Sequence, residues 1–443
     1  MDVAALHRHS VSRLACTRLG AAMNARYAAA VLTVLLSSSC AVPPASTLKP
    51  SLRALHGVKV YTAPDAVPIE DAVVLIRADR IVRVLARDDT VAARVPALAP
   101  GCEGGVVVAG FQNSHVHFIG RAFENARTAS AEPLAKALTQ LLTRYGFTTA
   151  FDIASDRDNT LALRERVERG ELNGPRILTA GLPLFPPQGL PIYMGHLSPS
   201  LLAKMPQPDT VASALETVRQ NLGAGADATK LFLVTPQGPR GAKRMPDEIA
   251  AAAVAESHRR GKLSFAHPTD LDGVRAALQA KVDILAHPPL GVTGPWPPAL
   301  TDQLRADDVY MIPTLKLLKY ELAKEQVPAQ AAERIVRDNV RELGRFAAAG
   351  GKVLFGTDVD YMTDADPSEE YELMALAGLS ALQILASLTT TPAERWNEAQ
   401  RRGRLAPGME ADIVVLNDDP VRSVLHFANV RCTIRGGKVI YAR

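Results

Sequence analysis

The stretch Ala226-Asp227-Ala228-Thr229-Lys230-Leu231-Phe232 places a lysine within a short apolar run of the kind that forms a buried strand. Working outward from it, comparable runs occur at 106–109, 148–153, 176–180, 263–266, 282–286, 310–313 and 353–355, the lysine's own covering 228–233. Longer, alanine-rich segments of helical character separate them. Eight strand-like runs alternating with helices predict an α/β fold, a (β/α)8 TIM barrel over 106–402. In such a barrel, residues just past the C-terminal end of each strand converge on one cavity. His115, His117, Lys230, His267, His287 and Asp358 all fall at such positions.

Neutral imidazoles and carboxylates bind zinc and similar divalent ions, whereas a lysine ammonium cannot. Lys230 has to change its charge state to join such a site. Desolvation inside a barrel lowers a lysine's pKa and leaves a nucleophilic amine, which carbon dioxide would convert to a carbamate whose two oxygens can bridge two metals. Two ions held about 3.5 to 4 Å apart can share a bridging hydroxide while one also polarises the carbonyl under attack. Asp358 is the expected general acid/base, holding and deprotonating that water and then delivering the proton to the leaving amine. Taken singly, the signals are weak. A His-X-His pair is common, His267-Pro268 and His287-Pro288 also read as core histidines, and Lys230 as a lysine snorkelling at the surface. What favours a metal site is that these residues occur together, at successive strand ends.

With these residues in place, the chain resembles the amidohydrolase superfamily, specifically its two-metal branch, over 52–443. The resemblance rests on Val108-Ala109-Gly110-Phe111-Gln112-Asn113-Ser114-His115-Val116-His117, Tyr145-Gly146-Phe147-Thr148-Thr149, the Lys230 stretch, Gly356-Thr357-Asp358, Thr391-Pro392-Ala393 and the tail Gly403-Arg404-Leu405-Ala406-Pro407-Gly408-Met409-Glu410-Ala411-Asp412-Ile413-Val414-Val415-Leu416. It implies His115 and His117 on a first metal, His267 and His287 on a second, and carbamylated Lys230 between them. Within the superfamily the set is most similar to the imidazolonepropionase-like group that includes prolidase-like and Xaa-Arg-type metallodipeptidases and N-acyl amino acid hydrolases. Deaminases of the superfamily carry a Glu where this chain has Asp270, which counts against deamination.

Outside the barrel, 51–105 and 403–443 show β-like alternation and are expected to pair into one small β-sandwich without candidate ligands. Asp412, within it, reads as a turn residue. Two proline-rich loops, 183–208 and 294–298, read as pocket walls. Tyr193, His196 and Trp296 are the candidate substrate contacts. Arg240 and Lys316 are the candidates for holding a substrate carboxylate, although each also reads as a solvated surface cation.

At 443 residues and 47% hydrophobic content, the chain can bury a barrel core plus a satellite domain. Its net charge of +4 includes four arginines against one aspartate in the first 39 residues, so the remainder is near +1 and no nucleic-acid partner is implied. Residues 1–50 read as an export leader and linker: Arg26 precedes an apolar stretch too short to span a membrane. Ser37-Ser38-Ser39-Cys40 resembles a bacterial lipoprotein cleavage site, which predicts a periplasmic protein or one tethered to the membrane by lipid on Cys40. Leu36 sits one position upstream of the usual place, so ordinary cleavage stays open. Export would let Cys102 and Cys432 pair across the outer domain, against the alternative of two free thiols. The reading is a two-metal hydrolase, zinc by default, cleaving a small-molecule amide in a dipeptide or N-acyl amino acid. The alternatives are a cyclic amide or lactone hydrolase, or a non-catalytic binding or scaffold protein on the same fold, whose mark would be lost ligands, and none is lost here. Self-association is left open.

Overall fold

The computed structural model describes residues 51–86, 89, 92–289 and 294–443, so the leader and Cys40 lie outside the described residues. The strands, numbered along the chain, are β1 Leu52–Val60, β2 Ile69–Arg77, β3 Arg80–Ala86, β4 Val106–Ala109, β5 Phe111–Val116, β6 Phe147–Asp152, β7 Arg176–Thr179, β8 Ala228–Phe232, β9 Val234–Pro236, β10 Ala242–Arg244, β11 Leu263–His267, β12 Ile284–Leu285, β13 Tyr310–Met311, β14 Ile413–Leu416, β15 Val430–Arg435 and β16 Lys438–Ala442. Helices alternate with the central strands, giving a mixed α/β fold.

The centre holds two parallel sheets, β5-β6-β7 and β8-β11-β12-β13. They are linked edge to edge by isolated parallel bridges, Leu184 to Leu231 on one side and Met311 to Val353 and Val116 to Val359 on the other. The run 353–355, expected as an eighth strand, forms no ladder of its own. It is held by the Met311–Val353 bridge and by Ser114 N donating to Phe355 O at 2.8 Å. Inside, Phe151, Leu178, Ala228, Phe265, Ile284 and Leu354 pack into one cluster that fills the space beneath the site.

The outer segments do pair, meeting in a single seven-stranded sheet ordered β16-β15-β14-β4-β1-β2-β3. The run Val106–Ala109, expected as the first barrel strand, belongs to this sheet, parallel to β1 and antiparallel to β14. Its two faces explain the misreading. Val107 and Ala109 enter the outer sheet's core while Val106 and Val108 enter the barrel's, so both faces are apolar, as in a buried parallel strand. After Gly110 the chain starts β5, the true first central strand, where Phe111 packs against Phe147 and Phe427.

Cys102 and Cys432 form a disulfide with a Cα separation of 5.6 Å, inside the outer sheet's core. It closes a sequence separation of 330 residues. Replacing both with serine is expected to lower the unfolding free energy by about 2 to 5 kcal/mol, since an open chain gains conformational freedom chiefly in the unfolded state. The urea midpoint with and without reductant checks this, and an unchanged midpoint would show the bond to be dispensable.

Candidate metal centre

Alternation along β8 sets the position of Lys230. Thr229 and Leu231 turn toward the helices, Thr229 Oγ1 bonding Ser257 Oγ at 3.1 Å and Leu231 joining the sheet–helix core. Ala228, Lys230 and Phe232 therefore face inward. Lys230 thus sits mid-strand, not beyond its end, between the packed cluster below and Phe232 at the cavity. It is 1% exposed, and burial lowers its ammonium to about 7 against the pull of the Asp358 carboxylate.

Four histidines surround the cavity floor. His115 Nδ1 is 3.1 Å from Ala286 O and His117 Nδ1 is 3.1 Å from Ala154 O. A carbonyl only accepts, so each Nδ1 carries the proton and donates it, and each neutral ring presents an Nε2 lone pair. Those atoms face Asp358, at 3.2 Å from its Oδ2 for His115 and 2.9 Å from its Oδ1 for His117. His287 Nε2 lies 3.6 Å from the same Oδ2, and its Nδ1 is 2.7 Å from Thr314 Oγ1. His267 packs edge-on to His287 and stacks on Phe232, with centroids at 4.6 and 4.8 Å.

Lone pairs pointing at a carboxylate make a set of acceptors without a donor. Asp358 Oδ1 is buried and unsatisfied unless His117 takes a second proton. A cation fits that gap, and the donor atoms of His115, His117 and Asp358 lie within 4.8 Å of one another. The electrostatics agree. Burial holds His115 and His287 well below the usual imidazole range, and His267 falls to about 3 through burial and Lys230. Burial also opposes charge on His117, but the Asp358 carboxylate outweighs it and raises that ring. Asp358, which burial would raise, is held below the ordinary carboxylate range by His115 and His117.

Local strain accompanies the site. Asp358 has φ +59° and Thr314 has φ +41°, both left-handed, and a β-branched residue there is an outlier. Asp358 N donates to His115 O at 2.9 Å, while Thr314 is tied down through His287. A Cβ on Gly356 would stand 2.8 Å from His115 Cβ and 2.4 Å from Ile312 Cγ2, which is why glycine precedes Thr357-Asp358. The Glu370 carboxylate, raised by burial to about 7, accepts from the amides of Leu315 and Lys316 at 3.0 and 2.7 Å. It thereby anchors the start of the helix Leu315–Lys324, whose side chains form one cavity wall.

A cavity of about 340 Å³ opens above these groups, and His115, His117, Lys230, His267, His287 and Asp358 all line it. Of the expected substrate contacts, Tyr193 lines it too. His196 closes the 3-10 helix Ile192–His196, and its side chain lies outside the described residues. Trp296 does not reach the cavity: it is buried in the core, its amide donating to Glu342 at 3.1 Å. Arg240 is exposed on a loop away from the lining. Lys316 is buried with its ammonium on Asp364 and the carbonyl of Asp366, so it braces a loop and does not face the cavity. Asp270 caps the helix Leu271–Gln279 and pairs with Arg244, and Asp412 joins Arg402 and Gly436 N. Thr314, Glu321 and Tyr361 went unpredicted. Thr314 directly follows the run 310–313, so the reasoning that found His267 applied to it as well.

A model of the amidohydrolase family matches residues 106–440. Ochratoxinase of Aspergillus niger is 21% identical over 389 residues, covering 78% of this chain and 76% of that protein. Its crystal structure superposes with a TM-score of 0.73 at 17% identity, over 89% of this chain and 96% of that one. A Xaa-Pro dipeptidase with methionine bound in its active site gives 0.72 at 18% identity, over 89% of this chain and 100% of that one. These superpositions show a shared fold.

Proposed function

Because the chain belongs to the amidohydrolase family, we propose that it is a binuclear metal-dependent hydrolase of a small-molecule amide, built on a (β/α)8 ring. The observation that carries this is the convergence of imidazole Nε2 atoms on the Asp358 carboxylate, in a cavity shared with Lys230 and His267. His115 and His117 would hold one ion, His267 and His287 the other, and Lys230, as its carbamate, would bridge them. Zinc suits these donors. When bound, the metals would activate a shared water and polarise the carbonyl under attack.

The chain's own groups do the rest. Asp358 takes the water's proton at its carboxylate and returns it to the leaving nitrogen. The carbonyls of Ala286 and Ala154 keep His115 and His117 in the tautomer that leaves Nε2 free. Phe185, Met194 and Phe232 exclude water and seat an apolar arm of the substrate. Relatives named for amide substrates, a dipeptidase and an ochratoxinase, support the choice of a C–N bond. A dipeptide or N-acyl amino acid would bring a carboxylate for which Arg240 and Lys316 are not in place. The leader implies export, and the buried Cys102–Cys432 pair accords with an oxidising compartment.

Metal analysis of the purified mature protein, alongside turnover of a pooled library of dipeptides, N-acyl amino acids and acyl anilides, tests the reading. Two ions per chain with amine release supports it. A metal-free or singly loaded protein that is fully active would overturn the binuclear site.

A further inference from the structure

Resting on that amide-hydrolase reading, we propose that the cavity selects amides whose apolar arm carries no free carboxylate, with Glu321 and Glu325 enforcing the choice. Most of the wall is apolar, with Phe185, Met205, Phe232, Leu317 and Leu322 among its residues. Among the described residues, and apart from the six on the floor, the polar lining consists of Tyr193, Thr269, Glu321, Glu325 and Tyr361. Among the described residues, Lys230 is therefore the only lysine or arginine in the lining. The segment 290–293, outside the described residues, contains no ionisable side chain.

Glu321 sits on the helix wall anchored by Glu370, and Glu325 is that helix's C-cap. Glu321 accepts from Tyr361 Oη at 2.8 Å and pairs with Lys324 at 3.5 Å; the Lys324 ammonium also donates to Tyr361 Oη at 3.0 Å, and its residue lines an outer hollow and not this cavity. Glu325 makes no ion pair among the described residues. A substrate carboxylate seated on this wall would shed its hydration, meet the carboxylates of Glu325 and of Glu321, the latter paired with Lys324, and find no guanidinium or ammonium in the lining beyond Lys230. A neutral arm meets no like charge and is buried against the apolar part of the wall.

Hexananilide and 4-(hexanoylamino)benzoate differ by one carboxylate and share a single scissile amide, so they make the test pair. With the metal-loaded enzyme, kcat/KM is expected to favour the anilide at least about tenfold, and calorimetric binding to the Asp358→Asn protein should show the same ratio, worth about 1.4 kcal/mol. The Glu321→Gln/Glu325→Gln double variant keeps the acceptor for Tyr361 and should narrow the ratio to roughly threefold or less. Equal or tighter binding of the benzoate, no binding of either compound, or a ratio untouched by the double variant would overturn the proposal. Release of amine from either compound would still uphold the amide-hydrolase reading, whichever way the binding ratio falls.

Discussion

Asp358→Asn is expected to lower kcat by roughly 10²- to 10⁴-fold, the range usually lost with a positioned general acid/base. Asparagine keeps the side chain's shape and tolerates the left-handed backbone that Asp358 adopts at φ +59° better than most residues do. The loss should therefore appear without unfolding. Because its imidazole neighbours hold Asp358 below the ordinary carboxylate range, it stays ionised throughout the neutral region. The wild-type rate should accordingly show no acid limb from this group near pH 4 to 7. Kinetics and circular dichroism on the same preparation decide it. An Asp358→Asn enzyme within tenfold of wild type would place proton transfer elsewhere.

Lys230→Met carries the second large effect. Removing the proposed bridging group is expected to take bound metal with it, along with several kcal/mol of transition-state stabilisation, on the order of 10²-fold or more in rate. A variant that keeps two ions and full activity would remove the carbamate from the mechanism. The unmodified amine also leaves a signature in stability. Its pKa falls from 10.5 unfolded to about 7 folded, so the unfolded chain binds more protons between those values. Stability contributed by this group is thus lost as pH falls from 10.5 toward 7 and fully absent below that. In chelator-treated protein free of carbon dioxide, the difference in unfolding free energy between wild type and Lys230→Met should change by up to about 1.4 kcal/mol per pH unit across that window. A difference that stays constant from pH 7 to 10 would mean the amine is not desolvated.

Much of the site was legible because its chemistry constrains residue type. Few arrangements use several histidines and an aspartate near strand ends with a lysine inside a strand between them, and all six line one cavity. What failed depended on where a loop turns. Lys316 looked free to meet a substrate until residues 364–366 were seen folding over it and offering carbonyls to its ammonium. Trp296 sits among prolines as a rim residue would, but the helix Ala329–Ala348 brings Glu342 to its backbone and draws the ring into the core. Val106–Ala109 misled for another reason. Burial on both faces erases the alternation that separates a sheet edge from a barrel strand, and only the pairing with β14, some 300 residues later, tells them apart.

That pairing has a consequence for biosynthesis. β4, made early, is flanked on one side by β14, from the last 31 residues of the chain. Phe427, later still, closes over Phe111 at the start of the first central strand. Until residues 413–427 have been made, those apolar faces have no native cover, and the final register waits for them. The central sheets are thus completed by residues made long after them. A chain truncated before residue 413 should emerge as a holdase client and not as a smaller working barrel, however complete its metal ligands are.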